Sequence, residues 1–274
     1  GGTLNLAVGN YALDALTSGD ENIAIGQLAL SALTTGLNNV AVGTNALSTA
    51  GGAASNNVAI GQNALKVGQG DDNTAVGSNA LLTSTTGTLN TAIGRNSMRV
   101  LTTGAQNTAV GMSTLKANTT ANNNVAVGYE AMKLNTTGAD NVSVGVNSMD
   151  ANTTGQRNVA IGKDALKSND DGGYNIAIGF EALEANLASN NIAIGKSTLE
   201  ANTTGTRNLA IGYEAYVGSD TENDNVAIGY NAMYTNTAGG QFNVAIGNYA
   251  GDAITSADNI TCLGHLSGSA ITTG

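Results

Sequence analysis

The feature that most constrains this chain is a short repeat, with a mean period of seventeen positions, that runs through the whole sequence. Its core, Asn-Val-Ala-Ile-Gly, occurs unaltered at Asn57–Gly61, Asn158–Gly162, Asn225–Gly229 and Asn243–Gly247. The glycine that closes the core, called the marker glycine below, is found at Gly9, Gly26, Gly43, Gly61, Gly77, Gly94, Gly111, Gly128, Gly145, Gly162, Gly179, Gly195, Gly212, Gly229, Gly247 and Gly264. A short, fixed period of this kind is typical of a solenoid in which one unit stacks on the next.

The five residues of the core predict a short strand. Asn opens the core in fifteen repeats, Ala stands two residues before the glycine in fourteen, and Val, Ile or Leu directly precedes the glycine in all sixteen. The remaining position is aliphatic in twelve repeats and Thr in four. The alternation places Asn, Ala and Gly on one face of the strand and two mostly β-branched residues on the other. A second, shorter apolar element ending in Leu or Met follows, and then a polar corner, most often Asn-Thr-Thr-Gly.

Changes in repeat length are confined to the corners. Four intervals are one position longer or shorter than the rest, and their difference lies at Ala50–Asn56, Val67–Asp72, Asn186–Asn190 and Thr237–Phe242. Helical repeats need units of about 33 residues or more. We therefore predict an all-β protein, a parallel β-solenoid of about sixteen rungs of seventeen residues, forming a single repeat domain over residues 1–274. Because the sequence begins without Met and stops within a corner motif, we expect a segment of a longer protein.

Composition excludes several classes of partner. The formal net charge of −10 argues against a nucleic-acid track. A single Cys excludes an internal disulfide and a cysteine-based zinc site. No run of apolar residues is long enough for a membrane-spanning helix, so we expect no membrane insertion by this segment.

Neither face of the predicted strand has the charged residues expected of a surface in contact with water. The two aliphatic columns together hold 28 Val, Ile or Leu residues. Full burial of one such side chain stabilises a fold by roughly 1.5–3 kcal/mol. If these columns stayed exposed to water, they would form an apolar patch larger than those found on monomeric proteins. We therefore expect another chain to cover one face. The pattern leaves open whether the aliphatic columns fill the coil while Ala and Gly meet the partner, or the reverse.

The motif Asn-x-Ala-(Val/Ile)-Gly, followed by Ala-Leu and an Asn-Thr-Thr-Gly corner, resembles the head repeats of YadA-like trimeric autotransporter adhesins. It also resembles repeats of phage tail fibres and of bacterial fibre proteins that end in an intramolecular chaperone. The resemblance covers every repeat. It implies a homotrimer of left-handed β-rolls that forms a non-catalytic shaft or head, located outside the cell, on its surface or on a virion, and attaching to a host or target cell.

Two columns of the repeat contain candidate functional residues. The position after the marker glycine varies freely, so it is expected to point outward, and its aromatic members are candidate contacts for a glycan or protein receptor: Tyr129, Phe180, Tyr213 and Tyr230. Ordinary surface variation is the alternative explanation. The Asn column is expected to form a structural ladder in which each side-chain amide bonds the next rung, as at Asn57, Asn124, Asn158 and Asn225.

We predict no catalytic, cofactor-binding or metal site, and hence no enzyme. Cys262 occupies the Ala column, where a small apolar residue fits, and His265 is the sole histidine. Acidic corners at Asp71-Asp72, Asp170-Asp171 and Asp220–Asp224 lack the pattern of calcium loops and are expected to be solvated.

An ice-binding solenoid is a further functional alternative, because Thr-Thr pairs line one corner. The Thr array is interrupted at Ala50–Gly52, Val67–Gly70, Asp170–Gly172 and Asp220–Glu222. Ice binding needs a regular array, so these breaks argue against it.

Overall fold

The computed structural model describes residues 2–235 and 239–273 and contains, within them, sixteen strands of three residues each. The strands are β1 (Leu6–Val8), β2 (Ile23–Ile25), β3 (Val40–Val42), β4 (Val58–Ile60), β5 (Thr74–Val76), β6 (Thr91–Ile93), β7 (Thr108–Val110), β8 (Val125–Val127), β9 (Val142–Val144), β10 (Val159–Ile161), β11 (Ile176–Ile178), β12 (Ile192–Ile194), β13 (Leu209–Ile211), β14 (Val226–Ile228), β15 (Val244–Ile246) and β16 (Thr261–Leu263). Each strand is the part of the core that immediately precedes a marker glycine.

The chain forms two compact units, Gly1–Ala139 with β1–β8 and Asp140–Gly274 with β9–β16. Within each unit every strand pairs in parallel with the strand of the next rung, Ala opposite Ala, as in Ala7↔Ala24 and Ala160↔Ala177. The prediction of an all-β, parallel β-solenoid with rungs about seventeen positions apart is confirmed. None of the described residues lies in a helix that is long and apolar enough to cross a membrane.

Corners absorb the irregular repeat lengths, as predicted. Val40 pairs with Val58 across an interval that is one residue longer than usual, and Ile176 pairs with Ile192 across one that is one residue shorter. The strands stay in the same register on both sides of each change, because a slip of one residue would turn a strand over and exchange its two faces. The first two residues of the corner Thr237–Phe242 lie outside the described residues.

The structure decides which face of the strand lies inside the coil. In the rungs that follow the first one, the alanines of the core are fully buried, as are the ladder asparagines and, in most rungs, the Leu or Met that follows the marker glycine by four residues; Ala59, Asn57 and Leu65 of one rung all have 0% exposure. The two aliphatic residues of the strand point outward instead, so Val58 is half-buried and Ile60 is 40% exposed. Small and large side chains thus share the interior, and the β-branched columns form the outer face.

The predicted second apolar element is a series of turns and not a strand, although its Leu or Met is buried as expected. Besides the marker glycine, three residues of each complete rung have a positive φ, as shown by Asn56 (φ 59°), Asn63 (φ 56°) and Leu65 (φ 47°). This conformation lets the backbone bond the neighbouring rungs on both sides: the Asn63 amide donates to the Thr44 carbonyl at 3.0 Å and the Leu65 amide donates to the Ala80 carbonyl at 2.8 Å. Buried backbone polar groups need such partners. The hydrogen bonds to the neighbouring rungs also offset the energetic cost of a left-handed conformation at a leucine.

Candidate functional site

The outer aliphatic face is a surface feature that recurs in every described rung. It is formed by the first and third residues of each strand, which are half-buried or exposed in every described rung. Its most exposed large members are Leu6, Val8, Ile23, Ile25, Ile60, Ile93, Val125, Ile161, Ile246 and Leu263. Three adjacent strands, β5 to β7, begin with Thr in place of an aliphatic residue. The face offers an apolar surface for packing and no chemically reactive group.

The column after the marker glycine is exposed, as its variability predicts. Tyr129, Phe180, Tyr213 and Tyr230 expose 44%, 38%, 39% and 41% of their surfaces. The Tyr213 and Tyr230 rings stack with centroids 5.2 Å apart and planes 8° from parallel. Because each of these two rings covers one face of the other, they present mainly edges and outer faces to a partner.

Cations and further rings extend this column. The Lys163 ammonium lies 5.3 Å from the Phe180 ring centroid and the Lys196 ammonium lies 5.0 Å from that of Tyr213. The Lys196 ammonium also donates to the Tyr213 hydroxyl at 3.5 Å, which raises the pKa of the lysine. Tyr249, one position further along its rung, meets the Tyr230 ring edge-on at 5.3 Å. Sequence reasoning missed Tyr249 because it occupies a different column.

The Asn column forms hydrogen bonds between rungs. The Asn158 carboxamide accepts from the Asn175 amide at 2.9 Å and donates to the Gly172 carbonyl at 2.9 Å. Asn57 accepts from the Asn73 amide at 2.9 Å, and the Asn124 side chain donates to the Gly138 carbonyl at 2.9 Å. The oxygen of each carboxamide thus accepts from a buried backbone amide of the next rung, while its nitrogen donates to a corner carbonyl.

Asn225 makes the same contacts with one addition. Its carboxamide accepts from the Asn243 amide at 2.9 Å and donates to the hydroxyl of buried Tyr216 at 2.6 Å. Burial raises the pKa of the Tyr216 hydroxyl, which occupies the column filled by Leu or Met in most rungs. These two residues stabilise the interior and contact no solvent.

Removal of one ladder carboxamide should destabilise the fold. Asn158→Ala leaves the buried Asn175 amide without its acceptor, while the Gly172 carbonyl keeps the Asn169 carboxamide as a donor at 2.9 Å. An unsatisfied buried group costs about 1–3 kcal/mol, so we expect the free energy of unfolding to fall by a similar amount. Urea unfolding followed by circular dichroism measures this loss. Gln62→Ala, which removes an exposed carboxamide, is the control, and an equal loss in both variants would contradict the structural role of the ladder.

The acidic corners use their carboxylates within the fold. The Asp71 carboxylate accepts from the Ser55 amide at 2.8 Å, and Thr153 donates to Asp170. Arg207 forms a two-pronged ion pair with Asp224 at 2.6 and 2.7 Å, which lowers the pKa of Asp224. Buried Glu222 accepts from the amides of Asp220 and Thr221. These corners thus tie rungs and turns together.

A different carboxylate group was missed by the sequence reasoning. Among the described residues, Glu181, Glu184 and Glu200 form the one group of three carboxylates whose oxygens lie within 4.8 Å of one another. Partial burial and the other two carboxylates raise the pKa of Glu181, while the Lys167 ammonium lies 3.3 Å from Glu184. The signal available in the sequence was an acidic pair three residues apart with another acid one repeat later.

Cys262 and His265 occupy different environments. Cys262 is 3% exposed in the Ala column, and burial raises the pKa of its thiol. His265 is exposed, its Nδ1 lies 3.1 Å from the Asn248 carbonyl oxygen, and its ring meets that of Tyr249 edge-on. Within the described part of the chain, the structure does not bring the two residues together with a base or nucleophile that would complete a catalytic pair.

Comparison of the sequence with models of known protein families and with curated proteins found no match.

Proposed function

We propose that this chain is a non-catalytic structural and adhesive segment, a shaft or head, of a homotrimeric fibre. The fibre would be part of a phage tail or a bacterial surface adhesin and would work outside the cell or on a virion. It would attach the phage or the bacterium to a host or target cell. The observation that carries the proposal is the outer aliphatic face, whose members such as Ile60, Ile93 and Ile161 are 40%, 40% and 39% exposed in the single chain. Contiguous apolar surface of this extent marks an interaction site.

A second copy of the chain fits this face better than an unrelated protein does. The face repeats with every rung, so a partner must present apolar residues at the same spacing over the same length. Copies of the chain meet that requirement by construction, and closed symmetry leaves no copy with an unpaired face. The three-copy assembly is what the resemblance to YadA-like repeats implies.

The assembly is testable by the mass of the isolated segment. Light scattering in solution should report about three times the chain mass of 27.2 kDa. Ile93→Lys combined with Ile161→Lys puts charges on the outer face and should yield monomers with unchanged circular dichroism, because the interior is untouched. Tyr129→Ser is the control and should remain trimeric. A wild-type segment that is monomeric at micromolar concentration would contradict the proposal.

Direct contact with a glycan or protein receptor through the variable column is the second candidate function. The continuity of Tyr213, Tyr230 and Tyr249 favours it, because ring follows ring over successive rungs. Aromatic side chains with a polar tip are enriched at interfaces. Loss of attachment by Tyr230→Ser, with the trimer mass retained, would distinguish this role from that of an inert shaft.

A further inference from the structure

A groove of about 280 Å³ opens at the corner of the coil in the second unit. It is lined by Thr154, Gln156, Asp171, Gly173, Tyr174 and Ser189. None of these residues belongs to a strand. The groove also differs from the variable aromatic column, which follows the marker glycine.

The groove has an identifiable origin in the sequence. The corner Asn186–Asn190 is one residue shorter than its neighbours. The Asn175 side chain donates to the Ala188 carbonyl as Asn158 does to Gly172, so Ala188 takes the place of the corner glycine. The Leu187 amide donates to the Thr203 carbonyl as Thr153 does to Asp170, so the missing residue is the counterpart of Thr154 and Asp171. Gly173 removes a side chain beside this notch. The depression thus combines a short corner with a glycine in the preceding one.

Polar groups in the groove have hydrogen-bonding capacity left over. The side chains of Thr154, Gln156 and Asp171 form no hydrogen bond to other described residues. The Ser189 hydroxyl oxygen accepts from the Gly173 amide at 3.0 Å, which leaves the hydroxyl proton to be donated. Donors and acceptors of both kinds therefore converge on one small space, as they do in sites for small polar ligands.

The Tyr174 ring is held in place at the edge of the groove. The Arg157 guanidinium lies 5.3 Å from the ring centroid and also donates to the Tyr174 hydroxyl. Arg157 in turn lies 3.8 Å from the Asp140 carboxylate. Tyr174 is nevertheless 55% exposed. A ring that is positioned beforehand provides contact area at little entropic cost.

We propose that this groove binds one unit of a neutral saccharide. A sugar ring combines a patch of C–H groups, which suits an aromatic ring, with hydroxyls that both donate and accept. Tyr174 would pack against the C–H patch, the Asp171 carboxylate would accept from hydroxyls, and Gln156 and Ser189 would donate to ring or hydroxyl oxygens. The uncompensated Asp171 carboxylate disfavours acidic sugars, which is why the proposal is limited to neutral ones.

The proposal is tested with methyl glycosides of glucose, galactose, mannose and N-acetylglucosamine as probes. Saturation-transfer NMR on the intact 274-residue chain should detect at least one of them with a Kd on the order of 1 mM, as befits an open site for one unit. Tyr174→Ala and Asp171→Asn should each weaken binding at least tenfold. Insertion of a threonine between Leu187 and Ala188 restores the usual corner length and should abolish binding while leaving every lining residue in place.

Tyr129→Ala removes an exposed ring of the other aromatic column and should leave the affinity unchanged. Absence of signal for all four glycosides, or equal binding by the wild type and the insertion variant, would overturn the proposal. The outcome is separate from that of the trimer, because the groove is formed within one chain and the assembly is measured by light scattering.

Discussion

Ala126→Asp is expected to open the solenoid locally or to prevent its assembly. Ala126 is the central residue of β8, has 0% exposure and pairs in register with Ala109. An unpaired carboxylate in such an interior costs several kcal/mol, on the order of 3–5. In a trimer the same defect occurs at one level in each chain. Thermal unfolding followed by circular dichroism, together with the mass in solution, measures the effect.

Charge, and not size alone, should account for this loss. Burial raises the pKa of an introduced carboxyl above its ordinary value of about 3.9. The folded variant then binds a proton that the unfolded chain has released, so the destabilisation is largest at neutral pH and shrinks as the pH falls toward that ordinary value. A deficit that is the same at acidic and neutral pH would point to steric overpacking instead.

Two controls bracket the Ala126 result. Ala126→Ser should change the unfolding free energy by no more than about 1 kcal/mol, because Ser143 already occupies this column with its hydroxyl donating to the Ser148 carbonyl at 2.9 Å. Tyr129→Ser, three residues away on the exposed column, should leave folding unchanged. Loss of assembly in Tyr129→Ser alone would show that the variable column is the true interface.

Gly162→Ala is expected to be nearly as disruptive, for a different reason. Gly162 has φ of +139°, and an added Cβ would lie 2.3 Å from the Gly179 carbonyl oxygen and 2.6 Å from its carbon. Both atoms belong to the backbone of the next rung, so no side chain can turn aside. Backbone strain and overpacking each cost about 1–3 kcal/mol, and the melting temperature should fall accordingly.

Gly264→Ala is the matched control for Gly162→Ala. Gly264 has a comparable φ of +116°, yet an added Cβ there meets no described atom within 4 Å. This variant therefore isolates the strain, about 1–3 kcal/mol, from the clash. Equal losses of stability in the two variants would show that close stacking of the marker glycines contributes nothing.

Much of the fold is readable from the sequence because the repeat averages out local ambiguity. A three-residue strand such as Val58–Ile60 is too short to identify by itself. Sixteen aligned copies, however, separate positions that must be small from positions that vary. The same alignment locates the corners, since Asn186–Asn190 changes length while Ile176 and Ile192 remain paired.

The candidate sites were less accessible to such reasoning. The variability of the position after the marker glycine predicted that Tyr213 is exposed, and it is. Comparing one position across the rungs cannot reveal contacts between different positions, such as that of Tyr230 with Tyr249. Glu181 and Glu200 likewise come together from different columns of adjacent rungs. The groove beside Tyr174 requires a glycine and an aromatic residue in one corner and a deletion in the next, a coincidence that no repeat consensus contains.

The sequence by itself determined the period, the positions of the strands and the role of the corners as the place where length varies. Only the tertiary structure decided which face lies inside, because both faces are uncharged and hydrophobic patterning does not distinguish them. Leu65 is buried in the interior together with small Ala59 and polar Asn57, while Ile60 turns outward. The left-handed residues of each rung also could not be predicted from the sequence. A leucine such as Leu65 adopts that conformation only when hydrogen bonds to the adjacent rung offset its cost.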